Sequence, residues 1–208
     1  MFHMPSLDRK AQKESLETAA HLQFLRVVFE KKLPVYLLGS YADDALLHKS
    51  VSKAHSDIDL ATLRANSERL RHEFEDMGLN VTEKSFAEGE PPYKLLVKGK
   101  HLLVDVALFD RDDQELPFMN ALDSKTGDKL KLVFDKNVFD DAPQELNGMT
   151  VATVSPLALI RSKDAYYQAG MGPSREKDVV RKQSLVDKFY PSVRTDSDHF
   201  KLRISRIK

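Results

Sequence analysis

The feature that most constrains this chain is an apolar run broken by a glycine and followed, one helix-like stretch later, by two aspartates one residue apart. Val35-Tyr36-Leu37-Leu38 has the length and composition of a buried strand, Gly39-Ser40 breaks it, and Ala42 to Leu47 opens a helix. Asp57-Ile58-Asp59-Leu60-Ala61-Thr62-Leu63 then alternates polar and apolar residues, the pattern of a strand with one buried face. Residues two apart in a strand point the same way, so both carboxylates project together while Ile58 turns into the core. Two carboxylates held that close repel one another unless a cation lies between them. Oxygen donors, in a chain without Cys, suit Mg²⁺ rather than zinc.

A third acid points the same way. Asp105 lies inside Leu102-Leu103-Val104-Asp105-Val106-Ala107-Leu108, where a charged side chain is costly to bury without a partner. If that strand runs beside the Asp57 strand, three carboxylates converge. Three such groups can hold two metal ions about 4 Å apart, as in displacement at phosphorus. Gly39-Ser40, at a strand end that opens a helix, offers backbone N–H groups, a hydroxyl and the positive end of a helix dipole, which together form a phosphate site.

The rest of the chain reads as mixed α/β, then helical. Residues 8–32 show helical periodicity ended by Pro34, and 67–77 form a helix stopped at Gly78. Strands are expected at 79–86, 93–97, 102–109, 130–134 and 149–154, with 110–128 a polar loop. Ser155-Pro156 reads as an N-cap with proline at the first helical position, and Ser174 as a second helix start. The expected division is a first domain over 1–154, a helical domain over 155–191, and a frayed tail over 192–208. Asp43 and Asp44 are expected to serve the first turn of their helix, and His55 to be structural or exposed.

Composition narrows the function. Thirty-two Lys and Arg balance 32 Asp and Glu, so the chain lacks the basic excess that nucleic-acid backbones require. The absence of Cys excludes disulfides, thiolate metal sites and cysteine nucleophiles. No signal-like segment or membrane-length apolar run is visible, and a cytoplasmic protein is the expectation.

The stretch from Leu38-Gly39-Ser40 to Ser56-Asp57-Ile58-Asp59-Leu60 resembles the nucleotidyltransferase superfamily related to DNA polymerase beta, and within it the aminoglycoside and lincosamide nucleotidyltransferases. Leu103-Val104-Asp105-Val106 matches that family's third carboxylate. Ser155 to Lys163, with Ser174-Arg175-Glu176-Lys177-Asp178, looks like its C-terminal helices. The resemblance implies the nucleotidyltransferase fold, a small mixed sheet with flanking helices plus a C-terminal helical region. It also implies two Mg²⁺ ions held by Asp57, Asp59 and Asp105, with Asp105 a metal ligand or base. A nucleoside triphosphate would be bound at Gly39 and Ser40 and neutralised by Lys163 and Lys177. The implied reaction moves a nucleoside monophosphate to a hydroxyl of a small acceptor. An aminoglycoside-like cation drawn by Asp110, Asp112, Asp113 and Glu115 is favoured over RNA, which the basic tail would otherwise suit. Two alternatives stand beside this: a toxin-like enzyme acting on RNA or protein, and a non-catalytic nucleotide-binding module.

Overall fold

The computed structural model describes residues 6–123, 126–139, 142–168 and 175–207. A long helix α1 (Ser6–Glu30) leads through Pro34 into β1 (Tyr36–Leu38), which passes directly into α2 (Gly39–Leu47). Next come β2 (Ile58–Leu63), α3 (Ser67–Asp76), β3 (Asn80–Lys84), β4 (Lys94–Gly99) and the long β5 (Leu102–Arg111). β6 (Pro117–Leu122), β7 (Lys129–Val133) and the small hairpin β8 (Gln144–Leu146) and β9 (Met149–Val151) lead to the helices. These are α4 (Pro156–Lys163), α5 (Ala165–Gln168) and α6 (Glu176–Phe189), after which β10 (Arg203–Ile207) returns to the sheet.

Among the described residues, eight strands join one mixed sheet in the order β1-β2-β5-β6-β7-β10, with β4 beside β5 and β3 beyond it. β2 and β5 are parallel, and the other pairings are antiparallel. β5 gives one edge to β2 through Val104–Phe109. Its other edge is shared, with β4 along Leu102–Ala107 and β6 along Phe109–Arg111. The sheet therefore forks at Leu108, three residues beyond Asp105, and the candidate site opens along this part of β5.

The alternation of β2 and β5 explains their placement. Ile58, Leu60, Val104, Val106 and Leu108 are fully buried on one face, while Asp59 and Asp105 occupy the other. Burying each large aliphatic side chain contributes about 1.5–3 kcal/mol, enough to fix a register that a slip of one residue would invert. Chain entry into α4 is fixed by backbone bonds from Leu37 N to Ala152 O and from Val154 N to Leu37 O, which seat residues 152–154 beside β1. Ser155 then caps α4, its Oγ accepting from Ala158 N at 3.3 Å, with Pro156 opening the helix as its sequence predicts.

Two expectations are corrected. Residues 117–122, expected within a loop, form β6 between β5 and β7; the Asp112–Leu116 turn is irregular, closed by the Asp112 carboxylate on two backbone amides, and residues 123 and 126–128 lie outside the strands as well. Residues 203–207, expected to fray, pair along β7 as a sheet edge, because Ile204 and Leu202 find apolar cover from the strand and from Phe200 nearby. Exposed Arg203, Arg206 and Lys201 keep that edge polar. Ser174, read as a helix start, lies outside the described residues. The following helix begins at Glu176 with Arg175 at the N-cap.

Candidate active site

Strand register builds the site. Leu38, Asp59 and Asp105 stand in one row across β1, β2 and β5, and Asp57 precedes Asp59 by two residues. The sequence therefore places two of its three carboxylates as cross-strand neighbours on one face. All three line a cavity of about 480 Å³. Gly39 and Ser40 line it as well, at the first turn of α2, where no side chain caps the helix amides. Gly39 has φ +61°, and a Cβ there would stand 2.0 Å from Asp59 Oδ2. The glycine thus allows the helix start to sit against the carboxylate row.

Electrostatics follow from that crowding. Burial first, then the negative charges of Asp57 and Asp105, push the Asp59 carboxyl up to about 6. Asp57 accepts a hydrogen bond from Ser56 Oγ at 2.9 Å, and Asp105 accepts one from Lys94 Nζ at 2.5 Å. The donor set, carboxylate oxygens that repel one another, fits a hard divalent cation. Among the described residues no three acidic or imidazole side chains already close into a cage, and the cation touching Asp105 is the Lys94 ammonium.

Lys163 and Lys177, expected near phosphate, both line the cavity. Lys177 is exposed on the first turn of α6. Lys163 is buried, with Nζ donating to Asp43 Oδ2 at 2.7 Å, so its charge is already shared with α2. Burial pushes the Asp43 carboxyl up, and Lys163 only partly opposes it.

Asp43 and Asp44 were expected to serve a helix dipole from its first turn, and this reading is corrected. Both are almost fully buried and act at long range. Asp44 accepts from Ser52 N (3.0 Å), Ser52 Oγ (2.7 Å) and His55 Nε2 (2.8 Å), and pairs with Arg181 of α6 at 3.4 Å. Burial alone would raise the Asp44 carboxyl, but the bonds from His55 and Ser52 outweigh it and hold it below the usual range. The loop that delivers Asp57 is therefore tied to α2, and His55 is structural as its sequence suggests. Tyr41 packs on His55 with ring centroids 4.6 Å apart and exchanges a 2.9 Å hydrogen bond with His21.

The acidic segment after β5 does not rim the cavity. Asp110 is held by Arg64 through bonds of 2.9 and 2.6 Å, and Asp112 closes its own turn. In its place β6 presents Met119, Asn120, Ala121 and Leu122 to the cavity and β7 Leu132, with Phe134 just beyond that strand. Sequence reading missed Lys94, which lines it, as do Arg175 and Asp178 of the segment that resembles the family's C-terminal helices. Asp178 is bonded by Arg175 at 2.5 Å. The only local signal for that pair was its spacing of three at a helix start.

A mixed sheet carrying three aspartates in this order beside a glycine-led helix defines a nucleotidyltransferase. The aminoglycoside-2''-adenylyltransferase family model matches residues 22–184, and the chain belongs to that family of nucleotidyl-transferring enzymes. Solved structures agree on the fold. The solution structure of the antibiotic-resistance factor ANT(2'')-Ia aligns with TM-score 0.60 at 21% identity over 86% of each chain. The crystal structure of ANT(2'')-Ia in complex with adenylyl-2''-tobramycin aligns with TM-score 0.59 at 21% identity, over 85% of this chain and 91% of that one. Lincosamide antibiotic adenylyltransferase LnuA, lincomycin-bound, aligns with TM-score 0.53 at 16% identity, over 81% and 94%. No curated protein matches the sequence. Among the described residues no helix is long and apolar enough to cross a membrane.

Proposed function

We propose that this chain transfers a nucleoside monophosphate from a nucleoside triphosphate to a hydroxyl group of a small antibiotic-like acceptor. The observation that carries the reading is the register of Asp59 against Asp105, with Asp57 on the same face and Gly39-Ser40 directly above.

Asp57, Asp59 and Asp105 would hold Mg²⁺, whose charge neutralises the α-phosphate and the departing pyrophosphate. The amides at Gly39 and Ser40, with the helix dipole behind them, bind triphosphate oxygens. Lys177, exposed at the cavity rim, adds positive charge toward the leaving group, and Lys163 does so from beside Asp43. The acceptor oxygen forms its bond to the α-phosphorus as the bond to pyrophosphate breaks, and its proton passes to Asp105.

Incubation of the purified chain with each α-labelled triphosphate, MgCl₂ and a panel of hydroxylated antibiotics tests this. Label on the antibiotic, lost with EDTA and in Asp57→Asn, is the expected result. Label on none of them, with the triphosphate intact, overturns it.

A further inference from the structure

We propose that Arg181 is a positioning residue for the nucleotide: it anchors the front of α6 to Asp44 and Ser52, and so holds Lys177 over the cavity. That role rests on the nucleotide reading of the site given above, and deepens it.

The two halves of α6 are held in different ways. Its buried apolar residues, Leu185 and Val186, lie in the second half, where Phe189 also packs on the core. The front half brings Lys177 and Asp178 to the cavity, yet Val179 and Val180 beside them are exposed. Apolar burial fixes the back of the helix and leaves the end that carries the lysine to polar contacts.

Arg181 supplies the main one. It follows Lys177 by four residues, so the two share a face one turn apart. Its guanidinium donates to Ser52 Oγ at 2.8 Å, to Asp44 Oδ1 at 3.4 Å and to His48 Nε2 at 2.9 Å. Lys182 pairs with Asp164 at the end of α4.

The anchor itself is rigid. Ser52 Oγ accepts from Arg181 and donates to Asp44 Oδ1 at 2.7 Å, while Asp44 Oδ2 accepts from Ser52 N and from His55 Nε2. Asp44 is fully buried in α2, the helix that begins at Gly39 beside the carboxylate row. The lysine on α6 and the amides at the start of α2 are thereby referred to one fixed point. A planar guanidinium suits the task, because its fork of donors meets three acceptors in set directions, which a lysine ammonium on a flexible stem does not. Without Arg181 the helix front is held chiefly by Lys182.

Calorimetry with a non-hydrolysable ATP analogue and MgCl₂ tests this without an acceptor. Arg181→Met should weaken the analogue at least tenfold in a chain that urea titration shows to be folded, and Lys177→Ala should weaken it as much. In the Lys177→Ala chain, adding Arg181→Met should cost no more than a further threefold, since the arginine acts through the lysine. Hydrogen exchange on the nucleotide-free chain reads the placement directly: amides 180–183 should lose protection in Arg181→Met while 185–189 keep theirs. A purely structural Arg181 would leave the affinity of the folded chain within twofold of wild type. That result, an unchanged affinity in Lys177→Ala, multiplying losses in the double variant, or unchanged exchange at 180–183 overturns the positioning role. A wild-type chain that does not bind the analogue overturns the nucleotide reading itself, and the role of Arg181 with it. If Arg181→Met does not fold, Arg181→Lys replaces it, with at least fivefold weaker binding expected and an affinity within twofold of wild type counting against the role.

Discussion

Gly39 has no room for a side chain because Asp59 already fills it. The ideal Cβ would lie 2.0 Å from one carboxylate oxygen and 2.8 Å from Cγ, and the backbone there has φ +61°. The sequence suggests that a bulky residue at this position would block a phosphate. The geometry adds a nearer collision, with the carboxylate row itself.

Gly39→Ala is therefore expected to act on both strain and chemistry. A non-glycine residue held at positive φ costs about 1–2 kcal/mol, and the displaced Asp59 leaves its place opposite Asp105. Turnover should fall at least 100-fold with a modest drop in melting temperature, whereas Ser40→Ala should fall far less. Wild-type turnover in Gly39→Ala would remove the glycine from the site.

Asp59→Asn should stabilise the metal-free protein. The folded carboxyl titrates at about 6, above its ordinary 3.8, so the folded state binds more protons than the unfolded state between those values. The wild-type chain consequently loses stability as pH rises from about 4 to 6, and at pH 7 the penalty is at most about 3 kcal/mol. The amide carries no charge and loses that slope. Urea unfolding in EDTA at pH 4.5 and 7 checks this: the gain should appear at pH 7 and shrink at pH 4.5. Mg²⁺ should stabilise the wild-type chain and leave the variant unmoved. A variant no more stable than wild type at pH 7 would show that the three carboxylates do not repel as placed.

Asp44→Ala should be among the most destabilising single changes. It strips a buried carboxylate from Ser52, His55 and Arg181 together and leaves their donors unsatisfied, a loss of about 3–5 kcal/mol. The loop ending at Asp57 would then lose its tie to α2. Denaturant titration measures the loss, and a cost under 1 kcal/mol would mean that the network is slack.

What the sequence disclosed and what it hid divide along physical lines. Strand alternation is local, so Asp57 and Asp59 could be placed on a common face from their neighbours alone and Ser155-Pro156 announced its helix in two residues, whereas the place of Asp105 beside them depended on β5 pairing with β2. Asp43 and Asp44 could not be read that way. Their partners Lys163 and Arg181 lie 120 and 137 residues away, and a burial forced by tertiary packing leaves no periodic mark. β6 and β10 escaped for a similar reason. Pro117 and Asn120 blur one pattern and the charges of Arg203 and Arg206 the other, and pairing with β7 decides both. The acidic segment misled because its charges were counted without their partners, Arg64 among them.

The Asp43–Lys163 pair separates structure from chemistry at a single lysine. Both side chains are nearly inaccessible, at 2% and 5% exposure, and they join α2 to α4 across the cavity wall. Removing only the lysine leaves a buried carboxylate without its cation, which costs about 3–5 kcal/mol, whereas replacing both partners by neutral groups of similar size is close to neutral. Lys163→Met should therefore lower the unfolding free energy sharply, and Asp43→Asn with Lys163→Met should recover most of it. Nucleotide affinity is expected to behave otherwise. If Lys163 also meets the triphosphate, the double variant stays weak in ATP binding despite its restored stability, by about tenfold, and Lys177→Ala lowers affinity without any loss of stability. Urea titration and calorimetry on the same four proteins give the answer. Recovery of ATP affinity together with stability in the double variant would confine Lys163 to holding the helices together.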